Sequence, residues 1–183
     1  MKADIPSVKK VDIRGARDGS QVLIQRMGAI MGEKMNAGEI CNRTVVFAYK
    51  YMSVSEAARL MLEQHVGSLV VIEETERGRV VIGMLTDRDI AVAVVAHDFD
   101  AQALSVADVM SKNLITARIE DSVYDLLHLM RGHGVRRIPV ITEYGVLIGI
   151  VTLDDLLEIV TEQLRGLVLA IESERKRETR VRE

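Results

Sequence analysis

Gly83-Met84-Leu85-Thr86-Asp87-Arg88-Asp89 returns 66 positions later as Gly149-Ile150-Val151-Thr152-Leu153-Asp154-Asp155. Each copy closes an apolar run of strand character and opens a run of helical character. A Thr and an Asp stand three residues apart at both junctions, where a starting helix leaves backbone N–H groups unpaired. A polar pair repeated at a repeated strand-to-helix junction points to two related small-molecule sites.

The repetition extends outward from these turns. A shift of 69 lays Ala48 on Ala117, Ser53-Val54 on Ser122-Val123, Met61 on Met130, Val66 on Val135 and Val71 on Val140. Beyond Val71 the shift falls to 66, because Glu74-Thr75-Glu76-Arg77-Gly78-Arg79 is longer than Glu143-Tyr144-Gly145. A turn is where a duplicated fold tolerates such an insertion. Each unit reads in the same order. A short strand (Thr44 to Phe47; Asn113 to Thr116) precedes a helix with Ser53 or Ser122 as N-cap. Glu56 or Asp125 follows three residues on, the spacing of a capping box. A β-hairpin comes next: Ser68 to Glu73 with Val80 to Leu85, and Arg136 to Thr142 with Val146 to Val151. A second helix closes the unit, Arg88 to Ala96 in one copy and Asp154 onward in the other. The order β-α-β-β-α, written twice, predicts an α/β (α+β) fold whose halves pack with pseudo-twofold symmetry.

Residues 1–34 are weakly patterned, with Gly15, Gly19, Gly28 and Gly32 interrupting any long helix, and are expected to form a partly disordered arm. Repeat one is assigned to 35–100 and repeat two to 101–160. Residues 161–183 extend the last helix and end in a charged tail. Along that helix Leu153, Leu156, Leu157, Val160, Leu164, Leu167, Val168 and Ile171 form one stripe at spacings of three and four. Its first part suffices to close the repeat; the rest is expected to pack on the arm or on another subunit.

Composition narrows the function. The 183 residues are 48% hydrophobic, enough for a real core. Their formal charge is −3, from 24 basic and 27 acidic residues, so bulk electrostatic capture of nucleic acid or an anionic membrane is not expected. Aromatics make up 3% with no Trp, which disfavours base-stacking surfaces. No apolar run approaches a membrane span, and the start has no hydrophobic signal core, so a cytoplasmic location is expected. The single Cys41, aligned with Met110, reads as a buried small hydrophobe. His65, His97, His128 and His133 lack metal-ligand spacing. No Ser–His–Asp arrangement, Walker loop or dinucleotide fingerprint occurs.

Thr86-x-x-Asp89 and Thr152-x-x-Asp155 carry two readings. A Thr N-cap with an acid three residues on is a capping box, worth about 1 kcal/mol to its helix. Recurrence adds a binding reading. An Asp carboxylate can accept from both ribose hydroxyls, Thr can bond to sugar or phosphate, and the Gly three residues earlier leaves room for a ligand to approach the backbone. The two roles are compatible.

The two repeats resemble a tandem pair of CBS (cystathionine-β-synthase) domains, a stand-alone Bateman module. The residues that carry the likeness are Val135-Arg136-Arg137-Ile138-Pro139-Val140 with Gly149 to Leu156, and Val66-Gly67-Ser68-Leu69-Val70-Val71 with Gly83 to Ile90. The resemblance spans roughly residues 36 to 160. It implies that Asp89 and Asp155 hold a ribose, with Thr86 and Thr152 at the sugar or phosphate. Adenine would bond to backbone near a first strand, at Val45 and Val46 or at Leu114, Ile115 and Thr116. Arg136 and Arg137, beside Pro139, would reach phosphate. It also implies clefts that cross between repeats, Asp89 with Arg137 and Asp155 with Ser68. Arg on one side and Gly-Ser on the other would make them unequal, the Arg137 cleft preferring phosphorylated ligands.

The expected protein is a regulatory module, not an enzyme, with no obligatory cofactor. Its ligand class is an adenine nucleotide (AMP, ADP or ATP), with S-adenosylmethionine or NAD(H) in the same chemical class. Expected partners are a second copy, as a homodimer, and a regulated protein, with neither membrane nor nucleic acid. The alternative is a structural or interaction scaffold with vestigial clefts.

Overall fold

The computed structural model describes residues 35–181. The expected arm, residues 1–34, lies outside the described residues. Repeat one contributes α1 (Ala37–Ile40), β1 (Phe47–Tyr49), α2 (Val54–Gln64), β2 (Ser68–Thr75), β3 (Gly78–Thr86) and α3 (Asp87–Ala93), with a short 3-10 turn at Val95–His97. Repeat two contributes α4 (Val106–Val109), β4 (Ala117–Arg118), α5 (Val123–His133), β5 (Arg137–Ile141), β6 (Leu147–Thr152) and α6 (Leu153–Val181). The result is a mixed α/β molecule with two three-stranded sheets, ordered β1-β2-β3 and β4-β5-β6.

In each sheet the middle strand pairs parallel to the first and antiparallel to the third. A register break falls between Val71 and Ile72 in one sheet and between Val140 and Ile141 in the other. These are equivalent positions under the shift of 69, so the duplication extends to the bulge. Ala57, Leu69, Val71 and Leu85 centre the core of repeat one, and Leu126, Ile138, Val140, Val151 and Leu156 that of repeat two. A third cluster, Val70, Ile72, Val81 and Ile141, lies between the sheets with Val45, Phe47, Met84, Leu114 and Ile150 around it. Alternation explains the division: side chains on one face of a strand meet its own helices, and those on the other meet the opposite sheet.

Both first strands start about three residues later than the sequence predicts. Asn42 and Ile150 exchange two backbone hydrogen bonds, of 2.9 and 3.0 Å, and Met84 and Ser111 exchange two of 3.2 and 2.8 Å. Residues ahead of each first strand are therefore held on the edge of the other repeat's sheet, and the chain reaches its own sheet only at Phe47 or Ala117. The two four-residue helices were not anticipated, and they make the same crossing. Ala37 and Gly38 donate to the carbonyls of Asp121 and Ile119, while Val106 and Ala107 donate to those of Met52 and Lys50. Each repeat is thus clasped by the segment that leads into its twin.

The hairpin tips also meet. Val80 bridges Val146, Val81 donates to the Gly145 carbonyl at 3.0 Å, and the Arg77 guanidinium lies 4.9 Å from the centre of the Tyr144 ring. Arg77 belongs to the longer hairpin of repeat one, so the insertion supplies a contact between repeats. Leu156 of α6 is fully buried, with Leu153 and Ile159 packed beside it. From Thr161 through Ser173 the helix is exposed. No described helix is long and apolar enough to cross a membrane.

Candidate functional site

The two Thr–Asp turns have the same geometry. Asp89 Oδ2 accepts from the Thr86 N–H at 2.8 Å and from the Thr86 hydroxyl at 2.7 Å, and the Asp89 N–H donates to Thr86 Oγ1 at 3.1 Å. In repeat two the corresponding distances are 2.7, 2.7 and 3.2 Å. All four residues are partly buried. The capping-box reading is therefore realised at both positions. It is not peculiar to them: Asn36 with Glu39, Ser53 with Glu56, Ser105 with Asp108 and Ser122 with Asp125 form the same box. Two of those carboxyls are held below their ordinary range: Glu56 by the backbone N–H and then the hydroxyl of Ser53, and Asp108 by the hydroxyl and then the backbone N–H of Ser105.

What distinguishes Asp89 and Asp155 is their place in the sheet. Each closes the end of a third strand; as in the other boxes, only one carboxylate oxygen is engaged. Among the described residues Oδ1 of each takes no hydrogen bond, leaving its lone pairs for an incoming hydroxyl. Opposite Thr86 in the ladder is Ser68, and opposite Thr152 is Arg137. The Val46 carbonyl accepts from the Val70 N–H at 3.4 Å, which brings the residue before β1 to the same end of the sheet. Val46, Phe47, Ser68, Thr86 and Asp89 therefore gather in repeat one, with Ile115, Thr116, Arg137, Thr152 and Asp155 at the equivalent positions of repeat two.

The copies differ here in a second way. Pro139, buried, replaces Val70 and has no N–H to donate. The carbonyl of Ile115, equivalent to that of Val46, accepts no hydrogen bond among the described residues. Repeat two thus offers a backbone acceptor that repeat one partly satisfies within its own sheet.

The two arginines part company. Arg136 pairs with Asp154 at 3.5 Å, both side chains being more than 70% exposed, so the pair contributes little to stability. Arg137 is exposed and makes no ion pair among the described residues. Neither a hydrogen bond nor an ion pair joins Asp89 to Arg137 or Asp155 to Ser68. The direct ladder contacts of Ser68 and Arg137 are with the threonines of their own repeats.

The glycines of the turn do something other than admit a ligand. A Cβ on Gly149 would lie 2.6 Å from Cys41 Sγ and 2.8 Å from the Asn42 carbonyl oxygen. One on Gly83 would lie 2.7 Å from Met110 Sδ and 3.1 Å from the Ser111 carbonyl oxygen. Small size is needed so that the crossing segment of the other repeat can lie against the third strand. Cys41 is buried there, equivalent to Met110, as its alignment implies. Among the described residues no group of three or more His, Cys, Asp or Glu could hold a metal ion.

Known proteins bear on this geometry. The family model of the CBS domain matches residues 37–96 and again 106–162. The protein MK0525 of Methanopyrus kandleri is 32% identical over 143 residues, 78% of this chain and 69% of that protein. A conserved protein from Pyrococcus horikoshii has a crystal structure that is similar with a TM-score of 0.61 at 35% identity, covering 69% of this chain and 92% of that one. The CBS domain pair of protein MJ0100, solved in complex with 5'-methylthioadenosine and S-adenosyl-L-methionine, is similar in fold, with a TM-score of 0.63 at 24% identity over 72% of this chain and 99% of that one. With two matched domains, each built as a sheet closed by a capped Thr–Asp turn, the chain belongs to the CBS domain family as a tandem pair.

Proposed function

We propose that this CBS pair is a non-enzymatic regulatory module that binds adenosine-containing ligands at its two Thr–Asp turns. The ligand would be AMP, ADP or ATP, or a larger adenosine compound such as S-adenosylmethionine or NAD(H). The observation that carries this reading is the place of Asp89 and Asp155 at the ends of β3 and β6, where each carboxylate is flanked by Thr and by the backbone of Val46 or Ile115. A ribose diol supplies two donors for such a carboxylate, and a charge-assisted bond of this kind contributes roughly 1.5–3 kcal/mol. The MJ0100 pair, alike in fold alone, holds ligands of this class.

The sites are unequal. Arg137 and the open Ile115 carbonyl give repeat two a cation and a backbone acceptor. Ser68 and the Val70-bonded Val46 carbonyl make repeat one less suited to phosphate. The ladder register favours Arg137 serving the Asp155 turn. Ligand binding would bias the arrangement of the repeats or of a dimer and so alter a regulated protein, as a shift between pre-existing states.

A second reading has a specific observation behind it. Both Thr–Asp pairs are accounted for as caps, like four others among the described residues, so a scaffold with vestigial clefts would need nothing more. Thermal unfolding separates the two. A ligand at a hundred times its Kd stabilises the native state by about 2.7 kcal/mol, and the melting temperature should rise with at least one member of an AMP, ADP, ATP, S-adenosylmethionine and NAD panel. Asp89→Ala with Asp155→Ala should abolish that rise, whereas Asp125→Ala, which removes a cap of the same design, should retain it. A flat response of the unmutated chain would favour the scaffold.

A further inference from the structure

The two repeats differ on their first strands as well as at their turns. By register and strand alternation, Phe47 of β1, Ser68 and Val70 of β2, and Met84 and Thr86 of β3 share the face that meets the opposite sheet. Phe47 stands opposite Val70, one pleat along from the Ser68–Thr86 pair. Its counterpart in repeat two is Thr116. A base drawn to the backbone of Val46 comes up against the benzyl group of the next residue. One drawn to Ile115 meets only the hydroxyl and methyl of Thr116.

The Phe47 ring is already engaged, which makes it an obstacle rather than a stacking surface. It packs on the inter-sheet cluster of Val70, Ile72, Val81 and Ile141. The Arg79 guanidinium lies 4.5 Å from the ring centre, using the π-face that a base would stack on, and the Tyr49 ring meets Phe47 edge-on at 5.7 Å. Glu74 ties those two neighbours together: its Oε1 accepts from Arg79 Nε at 3.1 Å and from the Tyr49 hydroxyl at 3.3 Å. Repeat two has Thr116, Arg118, Glu143 and Gly145 at the equivalent positions, so it has neither the rings nor the hairpin arginine. We infer that Phe47, braced by Arg79, Tyr49 and Glu74, obstructs the repeat-one cleft, an assignment that rests on the adenosine-binding reading and adds which of its two turns fills first. Ligand occupies the Asp155 turn first, and the Asp89 turn binds at least about tenfold more weakly.

Equilibrium dialysis of the full chain with labelled AMP, ATP and S-adenosylmethionine tests the assignment. The expected result is one tight site per chain, kept in Asp89→Ala and lost in Asp155→Ala. Phe47→Thr, which gives repeat one the residue of repeat two, should tighten the second site by about tenfold or more, and Asp89→Ala in that background should remove it. The gain should extend to S-adenosylmethionine, which has no phosphate for Arg137 to hold. Two equal sites in the unmutated chain would overturn the obstruction while leaving the binding reading intact. So would a tight site lost in Asp89→Ala, or weaker repeat-one binding in Phe47→Thr, which would make the ring a stacking surface. Failure of all the probes to bind would overturn the binding reading itself, and the assignment with it. Should Phe47→Thr fail to fold, the reverse exchange Thr116→Phe keeps the test. The tight site is then expected to weaken by about tenfold or more, and an unchanged affinity overturns the inference.

Discussion

At the scale of single residues, Gly83 and Gly149 are tightly constrained, where two repeats touch through backbone. Their surroundings are equivalent in position and unequal in compliance. A methyl group on Gly149 meets the fixed carbonyl of Asn42 as well as Cys41, and one on Gly83 chiefly meets the flexible end of Met110. Overpacking of this kind costs about 1–3 kcal/mol. Gly149→Ala should therefore lower the melting temperature more than Gly83→Ala does. Adding Cys41→Ala should restore only part of the loss, because the Asn42 carbonyl stays in the way. Equal losses at the two glycines would mean that Met110 is as rigid as backbone. The turn was legible in the sequence, while the job of its glycine was not. Small size is compatible with any close approach, and only the crossing of Cys41-Asn42 onto β6 identifies what approaches.

At the scale of elements, legibility followed length and periodicity. The 11-residue helices α2 and α5 appeared with their boxes at Ser53–Glu56 and Ser122–Asp125, and both hairpins appeared within a residue or two of their observed ends. The four-residue α1 and α4 escaped, because one turn has no periodicity to detect, although Asn36-x-x-Glu39 and Ser105-x-x-Asp108 carry the capping spacing. The late starts of β1 and β4 were hidden for another reason. Val45-Val46 and Leu114-Ile115 are apolar enough for strands, but neighbouring residues are held by the other repeat. The proposed site residues come from repetition and resemblance, and the register sets Arg137 beside Thr152. The boxes also make an acid-stability prediction. Asp108 and Glu56 have depressed carboxyl pKa values in the folded chain, so their stabilisation is full above the unfolded carboxylate range, near pH 4, and is lost as pH falls from there through the lower folded values. Asp108→Asn should flatten the fall in melting temperature between about pH 5 and 3 relative to the unmutated chain. An unchanged acid limb would show that the box at α4 does not contribute to stability.

At the scale of the whole molecule, duplication gives two similar ends followed by helices of different length. The helix opened by Asp89 ends at Ala93, while the one opened by Asp155 runs to Val181. A displacement of the first turn of α6 would be carried along a continuous helix past Leu164; α3 has no such continuation. If ligand binding moves these turns and the exposed part of α6 packs on another subunit, one of the two places its stripe is expected to go, repeat two is the end coupled to association of copies, and repeat one would report chiefly to the body of the molecule. Linkage makes the coupling reciprocal, so a ligand that changes the dimer equilibrium must bind monomer and dimer with affinities differing by the same factor. Two variants isolate the ends: Asp89→Ala leaves the repeat-two turn intact, and Asp155→Ala leaves the repeat-one turn intact. With a ligand that raises the melting temperature, the dimer dissociation constant of Asp89→Ala should shift at least about threefold on saturation, a coupling near 0.7 kcal/mol, while that of Asp155→Ala should not move. Equal shifts in the two variants would place the coupling in the shared inter-sheet core of Val70, Ile72, Val81 and Ile141, which both ends touch. A shift confined to Asp155→Ala would reverse the assignment and leave the length of α6 without a part in signalling.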